Sequence, residues 1–167
     1  MKNFKIEMKW ALIFVVMTLL WMLLERLFGL HDRNIEYHPL VTSFVVIPAI
    51  FIYVLALLDK RRKDFNGQMN YIQGFTSGVI ITIFVTIVSP LTQIITSLVI
   101  TPNYFTNMIG YAVLTGTMSR PEAEAYFNLN SYLMQTIMFT PIMGIAISAV
   151  VAIFTRKTNK ANGDSVV

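Results

Sequence analysis

Hydrophobic and charged positions separate along this chain into four long uncharged runs and short charged segments. The uncharged runs cover residues 10–24, 39–58, 65–119 and 125–155. A helix of about 20 apolar residues crosses the hydrocarbon of a bilayer, so these runs predict spans near 9–29, 39–59, 71–100 and 128–155. Lipid offers no partner to the backbone of an open strand, so every span should be helical. The pattern therefore predicts an all-α membrane protein, a bundle of four transmembrane helices.

The third uncharged run is long enough to raise the question of a fifth span. Residues 103–118 are apolar, but Pro102 and Pro121 bound a stretch of only about 15 usable residues, which is short for a crossing. We predict an interfacial helix in this loop between spans three and four. Ser119 and Glu122 then match a capping box, which predicts a helix running unbroken into span four over about 35 residues.

Charge decides the predicted orientation. Only 13% of residues are charged, about half the usual share, as expected of a surface that faces lipid. One side of the predicted bundle carries ten of the thirteen Lys and Arg and four of the nine acidic residues, which gives +6 there and −2 opposite. The positive-inside rule places both termini in the cytoplasm, in a bacterial inner membrane. The basic residues are explained by the predicted membrane topology, so nucleic-acid binding is not expected. The expected partner is the lipid bilayer.

One integral membrane domain, residues 1–158, accounts for all four spans, and residues 159–167 are expected to form a disordered tail. The basic start and apolar run resemble a signal peptide, but no small-x-small cleavage site follows, so we expect an uncleaved anchor. The chain has no cysteine, which excludes disulfides and thiolate metal sites.

Small and polar residues form one stripe along span three. Helical neighbours on one face recur at three and four residues, and the stripe keeps that spacing throughout. It begins with a GxxxG match that allows close helix approach. Helix packing and a polar groove through the bundle are both open interpretations. The stripe consists of Gly74, Gly78, Thr82, Thr86, Ser89, Gln93 and Thr96.

Span four carries a simpler row, in which Gly144 and Ser148 predict close packing, with span three as one candidate neighbour. Pro48, Pro90 and Pro141 lie deep in spans two, three and four, where each should bend its helix.

Glu25 directly follows the first uncharged run, residues 10–24, and apolar residues continue beyond it. It lies roughly 24 Å from the cytoplasmic end of the helix, near the outer boundary, where a charge can reach water. An interfacial ion pair and a substrate or proton site are both open interpretations. The expected partners are Arg26, Arg33, Arg120, a histidine, or a polar group such as Gln135.

The loop that follows, "HDRNIEYH", offers His31, Asp32, Glu36 and His38 as outer candidates. These are nitrogen and oxygen ligand types, but their spacing fits no standard metal motif, so we predict neither a metal nor a cofactor. No nucleophile elbow, phosphate loop or HExxH motif is present, and we predict no enzyme. An outer pocket joining His31 and His38 to Glu25 would strengthen the case for one.

Several segments resemble a known family. "ERLFGLHD", "IYVLALLDKRRKDFNGQMNYIQGFTSG", "SPLTQ", "ITPNYFTNM" and "EAEAYFNLNSYL" are similar to the bacterial membrane proteins grouped as domain of unknown function 4199. The resemblance covers roughly residues 5–157 and implies a four-span inner-membrane protein without established site residues. It also implies a gene neighbourhood with a polyprenyl-phosphate-type glycosyltransferase, and so a helper in envelope glycan assembly.

Two functional hypotheses follow. The first is a non-catalytic accessory module that packs beside a membrane-protein partner or forms a homodimer. The second is a small transporter or flippase for a lipid-linked or small amphipathic substrate. It requires a groove with Glu25 at its outer mouth, lined by Thr82, Thr86, Ser89 and Gln93.

Overall fold

The all-helical architecture is confirmed in the computed structural model, which describes residues 4–158. Four stretches are long and apolar enough to cross a membrane: Lys5–Leu27, Ile35–Asp64, Tyr71–Ile100 and Leu129–Thr155. A 3-10 turn at Ile35–Tyr37 precedes the helix His38–Ser43, and a π-helical turn at Thr96–Ile100 extends the helix Tyr71–Ile95. The expected tail, residues 159–167, lies outside the described residues. The α-helices are α1 (Lys5–Leu27), α2 (His38–Ser43), α3 (Val46–Asp64), α4 (Tyr71–Ile95), α5 (Tyr104–Leu114), α6 (Arg120–Tyr126) and α7 (Leu129–Thr155).

The second span is interrupted where α2 ends and α3 begins. The gap lies at Phe44 and Val45, and Pro48 follows within the first turn of α3. A proline cannot donate to the residue four positions earlier, and its ring clashes with that carbonyl, which here belongs to Phe44. Helical structure continues through Pro90 in α4 and Pro141 in α7.

The expected continuous helix from Ser119 into span four is wrong. The start is as predicted, since the Glu122 carboxylate accepts from the backbone N–H and hydroxyl of Ser119 at 2.9 and 2.6 Å. However, α6 ends at Tyr126, and Asn128 has the extended conformation of a new helix cap. Its side chain accepts from the backbone N–H of Ser131 at 2.9 Å, so a local cap outcompetes helix continuation.

Helices α4 and α7 make the most extensive contact in the bundle, and glycines make it close. A Cβ placed on Gly78 would lie 2.5 Å from the Ser148 hydroxyl oxygen. A Cβ on Gly144 would collide with Thr82, and one on Gly74 would lie 3.4 Å from Ala152 Cβ. This half of the span-three stripe is therefore filled by helix packing.

The end of α7 meets the loop between α3 and α4 at one end of the bundle. Met69 and Lys157 pair through two backbone hydrogen bonds of 2.9 and 2.8 Å, which join the loop between α3 and α4 to the end of α7. At the opposite end, α5 and α6 pack together around buried Tyr104 and Met108. Helix α5 has 11 residues, about 16 Å, and is too short to cross a bilayer.

Candidate functional site

Glu25 is buried at the outer end of α1, with only 2% of its surface exposed. The indole N–H of Trp21, one turn earlier, donates to Glu25 Oε1 at 2.5 Å. A buried carboxylate needs partners that offset its desolvation, so the second oxygen requires polar neighbours as well.

Two histidines supply those neighbours. The Nε2 atoms of His31 and His38 lie 3.2 and 3.5 Å from the same oxygen, Glu25 Oε2. Their rings are 5.1 Å apart and both residues are buried. Of the partners that the sequence offered for Glu25, the structure selects the histidines. We call Glu25, His31 and His38 the outer cluster.

A tight turn after α1 brings His31 back onto Glu25. Gly29 has a φ of +70°, a left-handed conformation that suits glycine, and its carbonyl accepts from Asp32 and Asn34. The Asn107 side chain of α5 donates to the His31 carbonyl at 2.8 Å. His38 arrives from the other direction as the first residue of α2.

Tyr104, near the start of α5, closes the outer cluster. Its hydroxyl lies 3.4 Å from His38 Nδ1 and 3.3 Å from the Tyr132 hydroxyl. Burial, followed by the influence of Tyr132 and of the Glu25 carboxylate, raises the pKa of Tyr104 above its ordinary value. The hydroxyl therefore keeps its proton and acts as a hydrogen-bonding group beside the imidazole.

A cavity of about 430 Å³ adjoins the outer cluster between α1, α4 and α7. His38 and Tyr104 form part of its wall, so the cluster and the cavity are continuous. Half-buried Gln135 faces the cavity and has no hydrogen bond within residues 4–158. The remaining wall is mostly hydroxyl and amide side chains, among them Thr18, Thr42, Ser89, Thr92, Gln93, Thr96, Ser97, Thr101, Tyr132, Thr136 and Thr140.

The span-three stripe divides between two environments. Ser89 and Gln93 line the cavity, whereas Gly74, Gly78 and Thr82 pack against α7. Thr86 donates to the Thr82 carbonyl at 2.8 Å and does not reach the cavity wall. Packing accounts for one half of the stripe and the cavity for the other.

Other candidates lie apart from the outer cluster. Asp32 and Glu36 are exposed, and Asp32 accepts from the backbone N–H of Arg33. Arg26 donates to the carbonyl of Ile100 at the end of the π-helical turn, and Arg120 pairs with Glu124. None of the three outer arginines forms an ion pair with Glu25 in the described part of the chain.

The sequence reading missed a second buried acid. Glu7, 1% exposed near the start of α1, pairs with Lys60 Nζ at 2.7 Å and accepts from the Ser77 hydroxyl at 2.9 Å. Lys60 also pairs with Asp64 at 2.5 Å. The signal available in the sequence was that Glu7 is an acid among the basic residues at the start of the chain. It lies four residues before Ala11, and so on the same helix face as this buried residue.

A family model described as a protein of unknown function (DUF4199) matches residues 9–157. The chain belongs to this family. Neither a curated protein nor a solved structure matches the chain.

Proposed function

We propose that this chain is a non-catalytic accessory module of the bacterial inner membrane that holds a small amphipathic molecule in its outer cavity. The observation that carries the proposal is the cavity itself. Its volume lies within the range of small-molecule sites. Its wall combines hydroxyl, amide and imidazole groups with the apolar side chains of Phe14, Met22 and Val85.

The charge distribution supports the placement of the cavity in the outer half of the bilayer. The basic segments meet at the end where Met69 pairs with Lys157, and the cavity lies toward the other end. By the positive-inside rule the basic end is cytoplasmic. A cavity in the outer half suits a lipid headgroup or a lipid-linked sugar, which ties the proposal to envelope glycan assembly.

Two adjacent residues of α7 provide a matched test. Gln135 lies on the cavity wall, whereas its neighbour Met134 is 62% exposed on the outward surface. The protein would be purified in mild detergent and its bound molecules identified by native mass spectrometry. We expect a specific small molecule to be retained by the wild type and by Met134→Trp, and lost from Gln135→Trp.

The contrary result is equally clear. If the wild type carries only bulk membrane lipid in bulk proportions, or if Gln135→Trp retains the same molecule, the cavity is not a ligand site. A protein partner that co-purifies in fixed ratio, with no small molecule bound, would support the accessory role but contradict the proposed ligand.

Transport is a second candidate because two of the three helices around the cavity contain a proline there, and α4 ends in a π-helical turn. Pro90 follows Ser89 in α4, a π-helical turn at Thr96–Ile100 ends the span, and Pro141 follows Thr140 in α7. Such irregularities recur at functional sites in helices. The close α4–α7 packing at Gly78 would have to separate for a substrate to pass inward.

Because the chain has no cysteine, a single introduced thiol can distinguish a binding module from a transporter. A single Thr92→Cys substitution puts one thiol on the cavity wall, and impermeant reagents can then probe it from either side of the membrane. Labelling from the outer side alone supports a binding module, whereas labelling from both sides supports transport. Gln68→Cys in the loop between α3 and α4 and Thr117→Cys in the loop between α5 and α6, both at exposed positions, serve as sidedness controls.

A further inference from the structure

We propose that the outer cluster is a binding site for a divalent transition metal such as zinc, with Glu25, His31 and His38 as its three protein ligands. One donor atom from each residue lies within 4.8 Å of the other two. The inference is independent of the proposed ligand in the cavity, because it rests on the geometry and chemistry of these three side chains.

The two shorter distances suit a shared ion. Zinc ligands lie about 2.0–2.1 Å from the metal, so two tetrahedral ligands are separated by roughly 3.3 Å. Glu25 Oε2 lies 3.2 Å from His31 Nε2 and 3.5 Å from His38 Nε2. A charge-assisted N–H···O⁻ hydrogen bond is typically shorter, about 2.7–2.9 Å.

The protonation pattern permits coordination. A metal ligand needs a bare Nε2, which moves the imidazole proton to Nδ1. His31 Nδ1 is buried and makes no hydrogen bond within the described residues, so this tautomer breaks no contact there. His38 Nδ1 faces the Tyr104 hydroxyl, which can accept as readily as donate.

The surroundings resemble those of metal sites in two respects. Trp21 holds the non-coordinating oxygen of Glu25, and Tyr104 contacts the far nitrogen of His38, in the way that hydrogen-bonding neighbours orient metal ligands. In addition, no Lys or Arg in residues 4–158 pairs with Glu25, so a bound cation would supply the missing positive charge. Two histidines and one glutamate leave a fourth position for water or for a molecule in the cavity.

Cobalt titration of the full-length protein tests the site, because four-coordinate Co²⁺ absorbs strongly in the visible region. After removal of metals by a chelator, we expect one equivalent of Co²⁺ to bind and Zn²⁺ to displace it. Loss of a group that hydrogen-bonds to a metal ligand costs roughly 10- to 100-fold in metal affinity, so Tyr104→Phe should fall in that range. Each of Glu25→Gln, His31→Gln and His38→Gln should lose about 100-fold or more.

Controls come from the same loop. Asp32→Asn and Glu36→Gln remove exposed carboxylates outside the cluster and should leave Co²⁺ binding unchanged. The proposal is overturned if the wild type binds no Co²⁺ above the level of the Glu25→Gln variant, or if Asp32→Asn lowers binding equally. The wild-type titration decides this even if a cluster variant fails to fold.

Discussion

The two ends of α1 each bury one glutamate, and their partners differ in kind. Glu7 is neutralised by the ammonium of Lys60 at 2.7 Å, whereas Glu25 faces the two imidazoles of His31 and His38. The Lys60 ammonium pairs with one Glu7 oxygen and has no lone pair, so it can hold an anion but cannot bind a metal. An imidazole can donate a proton or a lone pair, so His31 and His38 can bind a metal together with Glu25. This difference is the basis for expecting a structural role for the pair at Glu7 and for proposing a binding role for the outer cluster.

The largest expected effect comes from breaking the inner pair. Lys60→Met leaves the Glu7 carboxylate buried without its cation, which should lower the free energy of unfolding by about 3 kcal/mol. Thermal unfolding in detergent measures the loss. Lys63→Met, which removes an exposed ion pair with Asp59, should cost less than about 1 kcal/mol. Equal losses in the two variants would contradict a structural role for the inner pair.

Glycine substitutions come next and compare tight packing with open space. Gly78→Ala places a methyl group 2.5 Å from the Ser148 hydroxyl oxygen and should destabilise the bundle by roughly 1–3 kcal/mol. Gly110 in α5 has no neighbour within 4 Å, so Gly110→Ala should stabilise by about 0.5–1 kcal/mol through helix propensity. Chemical denaturation of both variants would test the opposite signs, and the same sign in both would refute the packing argument.

Glu25→Gln tests whether Glu25 contributes to stability as much as Glu7 does. A glutamine carbonyl still accepts from an imidazole N–H, so the metal-free protein should lose only about 1 kcal/mol of stability. Metal-dependent stabilisation should disappear, because the anionic ligand is gone. The measurement is the unfolding temperature with and without added Zn²⁺. A loss as large as that of Lys60→Met would show that the outer cluster is also structural.

The smallest effect concerns the exposed start of α6. The Ser119 hydroxyl and backbone N–H lower the pKa of Glu122 from its ordinary value of 4.5. A carboxyl with a lowered folded-state pKa adds stability above 4.5, and this contribution fades as pH falls through the folded-state value. Amide hydrogen exchange in α6, corrected for intrinsic rates, should therefore speed up in that window. Glu122→Ala should remove this pH dependence, whereas Glu124→Gln should keep it.

Much of the fold was predictable because lipid constrains sequence strongly. Four helices long enough to span, the close α4–α7 approach at Gly144 and Ser148, and the helix start at Ser119 all follow from local spacing and composition. The prediction of an unbroken helix into span four was wrong, because the Asn128 side chain caps a new helix there. A cap and a continued helix both depend on local interactions of similar strength. Helix propensity alone does not decide that competition.

The candidate site was only partly predictable. Glu25, His31 and His38 were all named as candidates, but their spacing matched no metal motif, and nothing local showed that they converge. Glu7 was overlooked because its partners Lys60 and Ser77 lie on other helices. The division of the span-three stripe into a packed half and a cavity half also depends on the path of α7, which the stripe itself does not encode.

The sequence by itself determined four apolar stretches long enough to span, the close approach at Gly144 and Ser148 and the charge asymmetry of the chain, because lipid penalises each exposed charge and each unpaired backbone group. Only the tertiary structure decided which polar groups meet. The left-handed turn at Gly29 folds His31 back onto Glu25, and the start of α2 brings His38 to the same oxygen. These contacts form only when the helices pack together, because the free energy that holds them comes from packing between segments that are distant in the sequence.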